Sequence, residues 1–457
     1  MPNNLDPLQA FQWSRQPAAE NLLRGIVQTF LNRTSTAAAL AHRMRDDTGT
    51  RFFDWIDSLQ LSHSFERDLL ASGYQFAHPV HDDAKLLHHP EGIFPRILLS
   101  HAPLTRISLK VDSVADFLAA NQLELPIQGE PFAPMRRATI AQSPATQLDI
   151  VERRGTWSDD LSPDDPLKCL AAAHHFDLFR RRNRAFTSDR EGIRHALQLA
   201  QAAQRDLGTD QTCALFFAAE REFWQRKNHA AQIQKSRQDR LGLGWGNHDH
   251  HTYRSSRAHF AQMIAFFEFL GCSSRERFYA GREAGWGAQV LENHSAGIVV
   301  FADVDLAPEE LLEDFAHNPL PARDTLGTVG LWCGLHGEAF LQAGMHHLEC
   351  QFDFDALKTQ LESTGINVMK PFTDYPYLRQ AFTEGQRWPV AESRLQRLLT
   401  DKLITPEQAA QFRQHGAIGS HLENLERNEG YKGFNQKGVS EIIAATDPRL
   451  HAASTPH

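Results

Sequence analysis

The feature that most restricts the fold is a rhythm of elements: one strand, one helix, then several short strands, repeated along the chain. Its clearest copy starts in the stretch from Gly246 to Arg254, which reads as a strand. Arg257 to Leu270 follows as a helix with Phe260, Ile264, Phe267 and Leu270 on one face, stopped by Gly271. Strand-like runs then come at Arg275 to Ala280, Ala288 to Glu292 and Ile298 to Asp305. This is a βαβββ module, and the class it predicts is α+β.

A second copy opens at His346 to Phe352, continues through a helix at Asp355 to Thr364 ended by Gly365, and takes Ile366 to Met369 as its next strand. An inserted helical segment runs from about Glu392 to His415, with Thr405 to Gln408 as a capping box that carries proline in its first turn. His421 to Glu426 is the closing strand, and a short helix is expected at Val439 to Ala445.

Upstream, the same rhythm is present without its polar equipment. Phe52 to Ile56 reads as a strand, Ser64 to Ser72 as a helix, and Lys85 to Pro90, Ile97 to Ser100, Ile107 to Val111 and Gln147 to Glu152 as strands. Trp55 stands where a ligand would be wanted, and His88 and His89 read better as a loop or edge-strand pair. The predicted organisation is therefore a helical cap over 1–50, a degenerate, metal-free half over 51–156, a helical connector over 157–240 and a metal-binding domain over 241–457. In the connector, Phe216, Phe217, Phe223 and Trp224 read as docking residues, and the basic run Phe179 to Arg184 as a solvated face or inter-domain ion pairs. Gly242 to Gly246 lacks the Lys-Ser/Thr of a phosphate loop.

Composition narrows the function classes. A net charge of −9 argues against non-specific nucleic-acid binding, which needs a positive surface. Five scattered cysteines without CxxC pairing fit thiols in a reducing compartment. No basic-then-apolar leader and no run near the ~18 apolar residues of a membrane span is visible, so a cytoplasmic protein with no membrane partner is expected. Oligomeric state has no signature here.

The chemistry concentrates in Gly246 to Arg254, where His248, Asp249, His250 and His251 precede Arg254. Several imidazoles on one short strand point to a metal site. Two βαβββ modules side by side make an open barrel whose first strands face each other, so ligands from each first strand and from a last strand converge. Two histidines and a carboxylate are the facial triad of O2-activating Fe(II) enzymes. Strand alternation places His248, His250 and Arg254 on one face and His251 on the other. It leaves His346 against His347, and Glu423 against Glu426, unresolved.

From about residue 245 to 445 the chain resembles the 2-oxoadipate dioxygenase/decarboxylase family, non-haem iron enzymes of vicinal-oxygen-chelate fold that form 2-hydroxyglutarate. The residues that carry the likeness are Asp249 to Arg254, His347-Leu348, Phe352 to Asp355, Leu378 to Gln380, Leu425 to Arg427 and Asn435 to Gly438. The resemblance implies His250, His347 and Glu426 as Fe(II) ligands and Arg254 as the clamp on the substrate's distal carboxylate, with Arg379 and Gln380 as weaker candidates for the 2-oxo acid end. His248 is expected beside the metal and His251 in packing. For Arg254 the competing role is an ion pair with Asp303 or Asp305. The function expected is Fe(II)-dependent oxidative decarboxylation of a 2-oxo dicarboxylic acid by O2. The alternatives are another vicinal-oxygen-chelate lyase, isomerase or ring-cleaving dioxygenase, or a non-catalytic module that binds an anionic small molecule.

Overall fold

The structure, a computed structural model, describes residues 13–77, 85–159, 161 and 165–435. The helix expected at residues 439–445, part of the linker at 158–166 and most of the Asn435 to Gly438 motif lie outside them. Two sheets organise the chain, and neither is closed. The first contains β1 (Ile56–Ser62), β2 (Gln75–Phe76), β3 (Lys85–His88), β4 (Arg96–Ser100), β5 (Thr105–Lys110), β6 (Met135–Gln142) and β7 (Thr146–Arg153), in the order β2-β3-β4-β1-β5-β7-β6. The second contains β8 (His248–Arg254), β9 (Ser273–Tyr279), β10 (Trp286–Asn293), β11 (Ile298–Asp305), β12 (His347–Gln351), β13 (Thr373–Tyr375), β14 (Leu378–Phe382), β15 (Gln386–Trp388) and β16 (Ala417–Arg427). Its order is β13-β14-β16-β12-β8-β11-β10-β9, with β15 on the flank of β16.

These orders are paired βαβββ modules. In the second sheet one module is β8, the helix Phe260–Phe269, then β9, β10 and β11; the other is β12, the helix Phe354–Glu362, then β13, β14 and β16. The first strands of the two, β8 and β12, run antiparallel at the centre, and each pairs in parallel with its module's last strand. The first sheet repeats the plan with β1 and β5 at the centre, but its second module has one strand fewer, and an isolated bridge joins Gln128 to Arg137 there. The fold is α+β and vicinal-oxygen-chelate-like.

Local chemistry starts and stops many elements where the sequence indicates, and several differ. Asp353 caps its helix through the Ala356 N–H at 3.1 Å, and Thr405 with Gln408 forms the expected capping box. Phe52 to Trp55, however, is a 3-10 turn, because Phe52 and Trp55 turn into the core there; the strand starts at Ile56. Ile366 to Met369 contributes only a bridge from Val368 to Thr383, and the strand forms at Thr373–Tyr375 instead. Thr328–His336, unplaced by pattern, is a helix whose first-turn N–H groups at Val329 and Gly330 donate to Asp305 at 2.9 Å. That carboxylate is thereby removed as a partner for Arg254.

Four helices between residues 166 and 239 lie between the halves. The helix Thr209–Gln225 docks Phe216, Phe217 and Trp224, each buried and each worth roughly 1.5–3 kcal/mol, against the back of β8 and the helix Phe260–Phe269. Arg182 and Arg184 are not solvated: both are buried on Glu220, Arg182 at 2.8 Å. The glycine run before β8 is the seam between the halves. Gly242 has a left-handed φ of 73°, and a Cβ there would stand 2.3 Å from Phe117 Cα. All five cysteines are buried and unbridged. Among the described residues no helix is long and apolar enough to cross a membrane.

Candidate metal centre

The central row of the second sheet carries the site. Register sets His250 of β8 opposite Glu349 of β12, and Glu349 beside Glu423 of β16, so one transverse line of the sheet holds an imidazole and two carboxylates. Alternation points all three into the same concave space. His250, Glu349 and Glu423 each offer a ligand atom within 4.8 Å of the others, and all three are buried. His347, two residues before Glu349 on the same face, brings Nε2 onto the same Glu349 oxygen and within 3.8 Å of Glu423. His250 Nε2 stands 3.0 Å from that oxygen.

Each donor is held from behind. Asp249 accepts from His250 Nδ1 at 2.8 Å and is gripped by Arg427 at 3.0 and 3.2 Å, which turns His250 Nε2 toward the cavity. Asp249 stays ionised far below the usual carboxylate range: burial opposes this, but Arg427 and His250 outweigh it. Thr252 donates to Glu349 Oε1 at 2.9 Å, and Gln380 to Glu423 Oε1 at 3.0 Å. Glu349 Oε2 is buried without a hydrogen-bond partner. Burial, and then the neighbouring Glu349, pushes the Glu423 carboxyl well above its ordinary value.

Two imidazoles and two carboxylates in a buried pocket, one oxygen still without a partner, fit a divalent cation of the iron, manganese or zinc type. The mixed nitrogen and oxygen donors suit Fe(II); no thiolate takes part. A dication would neutralise carboxylates that otherwise repel each other at low dielectric.

The structure brings His250, His347, Arg254 and Gln380 to one cavity. It does not bring Glu426 there. That residue lies on the helix side of β16, where its oxygens accept from the Phe354 N–H at 2.8 Å and from Arg51 at 3.2 Å. The physical reason is parity: Glu423 and Glu426 differ by an odd number of residues, and His421 and Glu423 face inward. Arg379 is likewise outside, fixed on Asp355 at 2.8 and 3.0 Å and stacked over Phe354. His248 departs from simple alternation, because Asp249 is an extra residue in the pairing of β8 with β12. The bulge turns His248 onto the reverse face, its ring 5.3 Å from His251. His251 packs there against Phe217.

Arg254 lines the cavity with Asp303 at 3.7 Å, a loose pair. Burial raises the Asp303 carboxyl to about 8 despite the opposing pull of Arg254. Phe278, Phe301, Phe372, Phe382 and Phe434 make up much of the apolar lining of the cavity. Sequence reasoning missed Glu349 and His421 and named Asp303 only as an ion-pair partner for Arg254; for Glu349 a signal existed, since it shares a face with His347.

No family model and no curated protein matches the chain. Solved structures similar to it include methylmalonyl-CoA epimerase from Mycobacterium tuberculosis, 13% identical over 40% of this chain and 89% of that one, with a TM-score of 0.24. A variant of 4-hydroxymandelate synthase from Streptomyces coelicolor is 12% identical over 88% of this chain and 99% of that one, with a TM-score of 0.28. At TM-scores this low the fold rests on the strand order itself.

Proposed function

We propose that the protein is a non-haem Fe(II) dioxygenase/decarboxylase that converts a 2-oxo dicarboxylic acid such as 2-oxoadipate, with O2, into CO2 and a 2-hydroxy acid one carbon shorter. His250, His347 and Glu423 hold the metal in this reading, and Glu349 is the additional carboxylate beside it. The observation that supports it most is the meeting, in one cavity, of this donor set and the guanidinium of Arg254.

His250, His347 and Glu423 would hold Fe(II), which would supply the activation of O2 beside the 2-oxo acid end of the substrate. The chain supplies position. Arg254 lies four residues beyond His250 on the same strand, about 13 Å at Cα, so the two ends of the site ask for a substrate acidic at both ends. Its guanidinium takes the distal carboxylate through charge-assisted bonds. Asp249 and Arg427 keep the His250 proton on Nδ1, and Gln380 steadies Glu423. The phenylalanine wall excludes water.

The test is O2 uptake by Fe(II)-loaded protein with a panel of 2-oxo acids. One O2 consumed per CO2 and per 2-hydroxy acid is expected with a dicarboxylic member. Arg254→Gln raises KM for that acid about 10- to 100-fold, the loss of roughly 1.5–3 kcal/mol of charge-assisted contact. No O2 uptake with any acid of the panel overturns the reading.

A further inference from the structure

On the reverse face of β8 from the metal centre, a cavity of about 670 Å³ lies between the two halves of the chain. Its walls come from β5 and β7 of the first sheet, from the helix Thr209–Gln225, and from the start of β8. Two cations in it form no salt bridge among the described residues. Arg221 is buried, and its Nη1 donates to Nε2 of the His251 imidazole at 3.1 Å. Lys110, at the end of β5, forms no ion pair or side-chain hydrogen bond among the described residues. Of the carboxylates nearby, Asp57 is taken by Arg153 at 2.7 Å and Arg96 at 3.2 Å. Asp112, on the cavity wall, accepts from the Trp245 N–H at 2.6 Å and offsets part of the charge of both cations without a salt bridge to either. His248 adds a buried ring nitrogen, Nε2, that has no partner.

Two like charges in a shielded cavity are costly unless an anion joins them, since an unpaired buried cation loses its hydration without return. Burial pushes the Lys110 ammonium down to about 8; Asp57 and Asp112 pull it back up, while Arg221 and Arg96 lower it further. Other basic residues of the wall are already committed: Arg136 and Arg154 to Glu152, Arg180 to Glu222. The shielded charge left without a salt bridge is therefore that of Lys110 and Arg221, partly offset by Asp112, and a small ligand suits it better than a polymer.

We propose that this interdomain cavity is a second ligand site, which takes a small dianion, a phosphate or a dicarboxylate, between Lys110 and Arg221 with His248 at its edge. The site does not depend on which reaction the metal centre performs. Because Arg221 holds His251 and the ligand borders His248, its occupant sits directly behind the strand that carries His250.

Calorimetric titration of the full chain with inorganic phosphate and, separately, with malonate, at constant ionic strength, tests it. Saturable binding of one equivalent of either is expected, weakened at least about tenfold by Lys110→Met and unchanged by Arg254→Gln. Arg221→Lys is expected to act like Lys110→Met; should it fail to fold, Lys110→Met decides alone. Saturation by phosphate only marks a phosphorylated ligand, and by malonate only a dicarboxylate; both support the site. Absence of saturable binding by either anion overturns it, as does binding that Arg254→Gln removes and Lys110→Met leaves intact.

Discussion

The two sheets share a plan and differ in what their central rows do with charge. In the second sheet the row across β8, β12 and β16 is His250, Glu349 and Glu423, donors turned toward one another. In the first, the row across β1, β5 and β7 is Ser58, Ser108 and Asp149. Asp149 there accepts from Thr139 at 2.7 Å and lies within 3.9 Å of Arg106 and 3.8 Å of Arg137. Asp57, Arg96 and Arg153 likewise satisfy one another. One architecture thus serves two ends: where every carboxylate has its cation, the sheet is a scaffold, and where two carboxylates meet two imidazoles without one, it asks for a metal.

The comparison breaks most visibly at the ligands. His250→Ala or Glu423→Ala is expected to lower bound iron and turnover by more than about 100-fold, whereas Ser58→Ala, at the matching row of the first sheet, leaves iron content at the wild-type level. Metal analysis of the purified variants checks both. Equal loss in all three would mean that the two rows do not differ in kind.

A smaller effect tests the scaffold half. Burial raises Asp57, but Arg153 and Arg96 outweigh it and bring it down from 3.8 to about 2. A depressed carboxylate stabilises the fold above its unfolded value and loses that contribution as pH falls through the folded one. Asp57→Asn should therefore cost about 2 kcal/mol at neutral pH, and the gap to wild type should close between roughly pH 4 and pH 2. Denaturant unfolding across that range measures it; a gap independent of pH would refute the ion-pair account.

The smallest effect separates the two glutamates of β16. Glu426→Gln weakens the bonds to the Phe354 N–H and Arg51 and should cost about 1 kcal/mol of stability while iron stays bound. Iron lost from Glu426→Gln and kept by Glu423→Ala would reverse the ligand assignment.

Much of this was legible from residue order. The βαβββ rhythm, the helix stops at Gly271 and Gly365 and the capping box at Thr405 follow from local rules that operate within a few residues. So does the concentration of chemistry in β8 and the pairing of His250 with Arg254 on one face. The resemblance on residues 425–427 pointed to Glu426, one face away from the cavity, because a short motif match says nothing about parity within the strand. Glu349 was readable from its spacing to His347 and was passed over for a more familiar triad.

By itself, then, the sequence determined the modules and which strands carry polar cargo, since periodicity, caps and glycine stops act locally. Only the tertiary structure decided which residues meet. The bulge at Asp249 turned His248 to the reverse face, register across β8, β12 and β16 aligned Glu349 and Glu423 with His250, and packing of the two halves brought Lys110 and Arg221 to one cavity. Each of these depends on pairing between segments far apart in the chain, where no local pattern fixes the register.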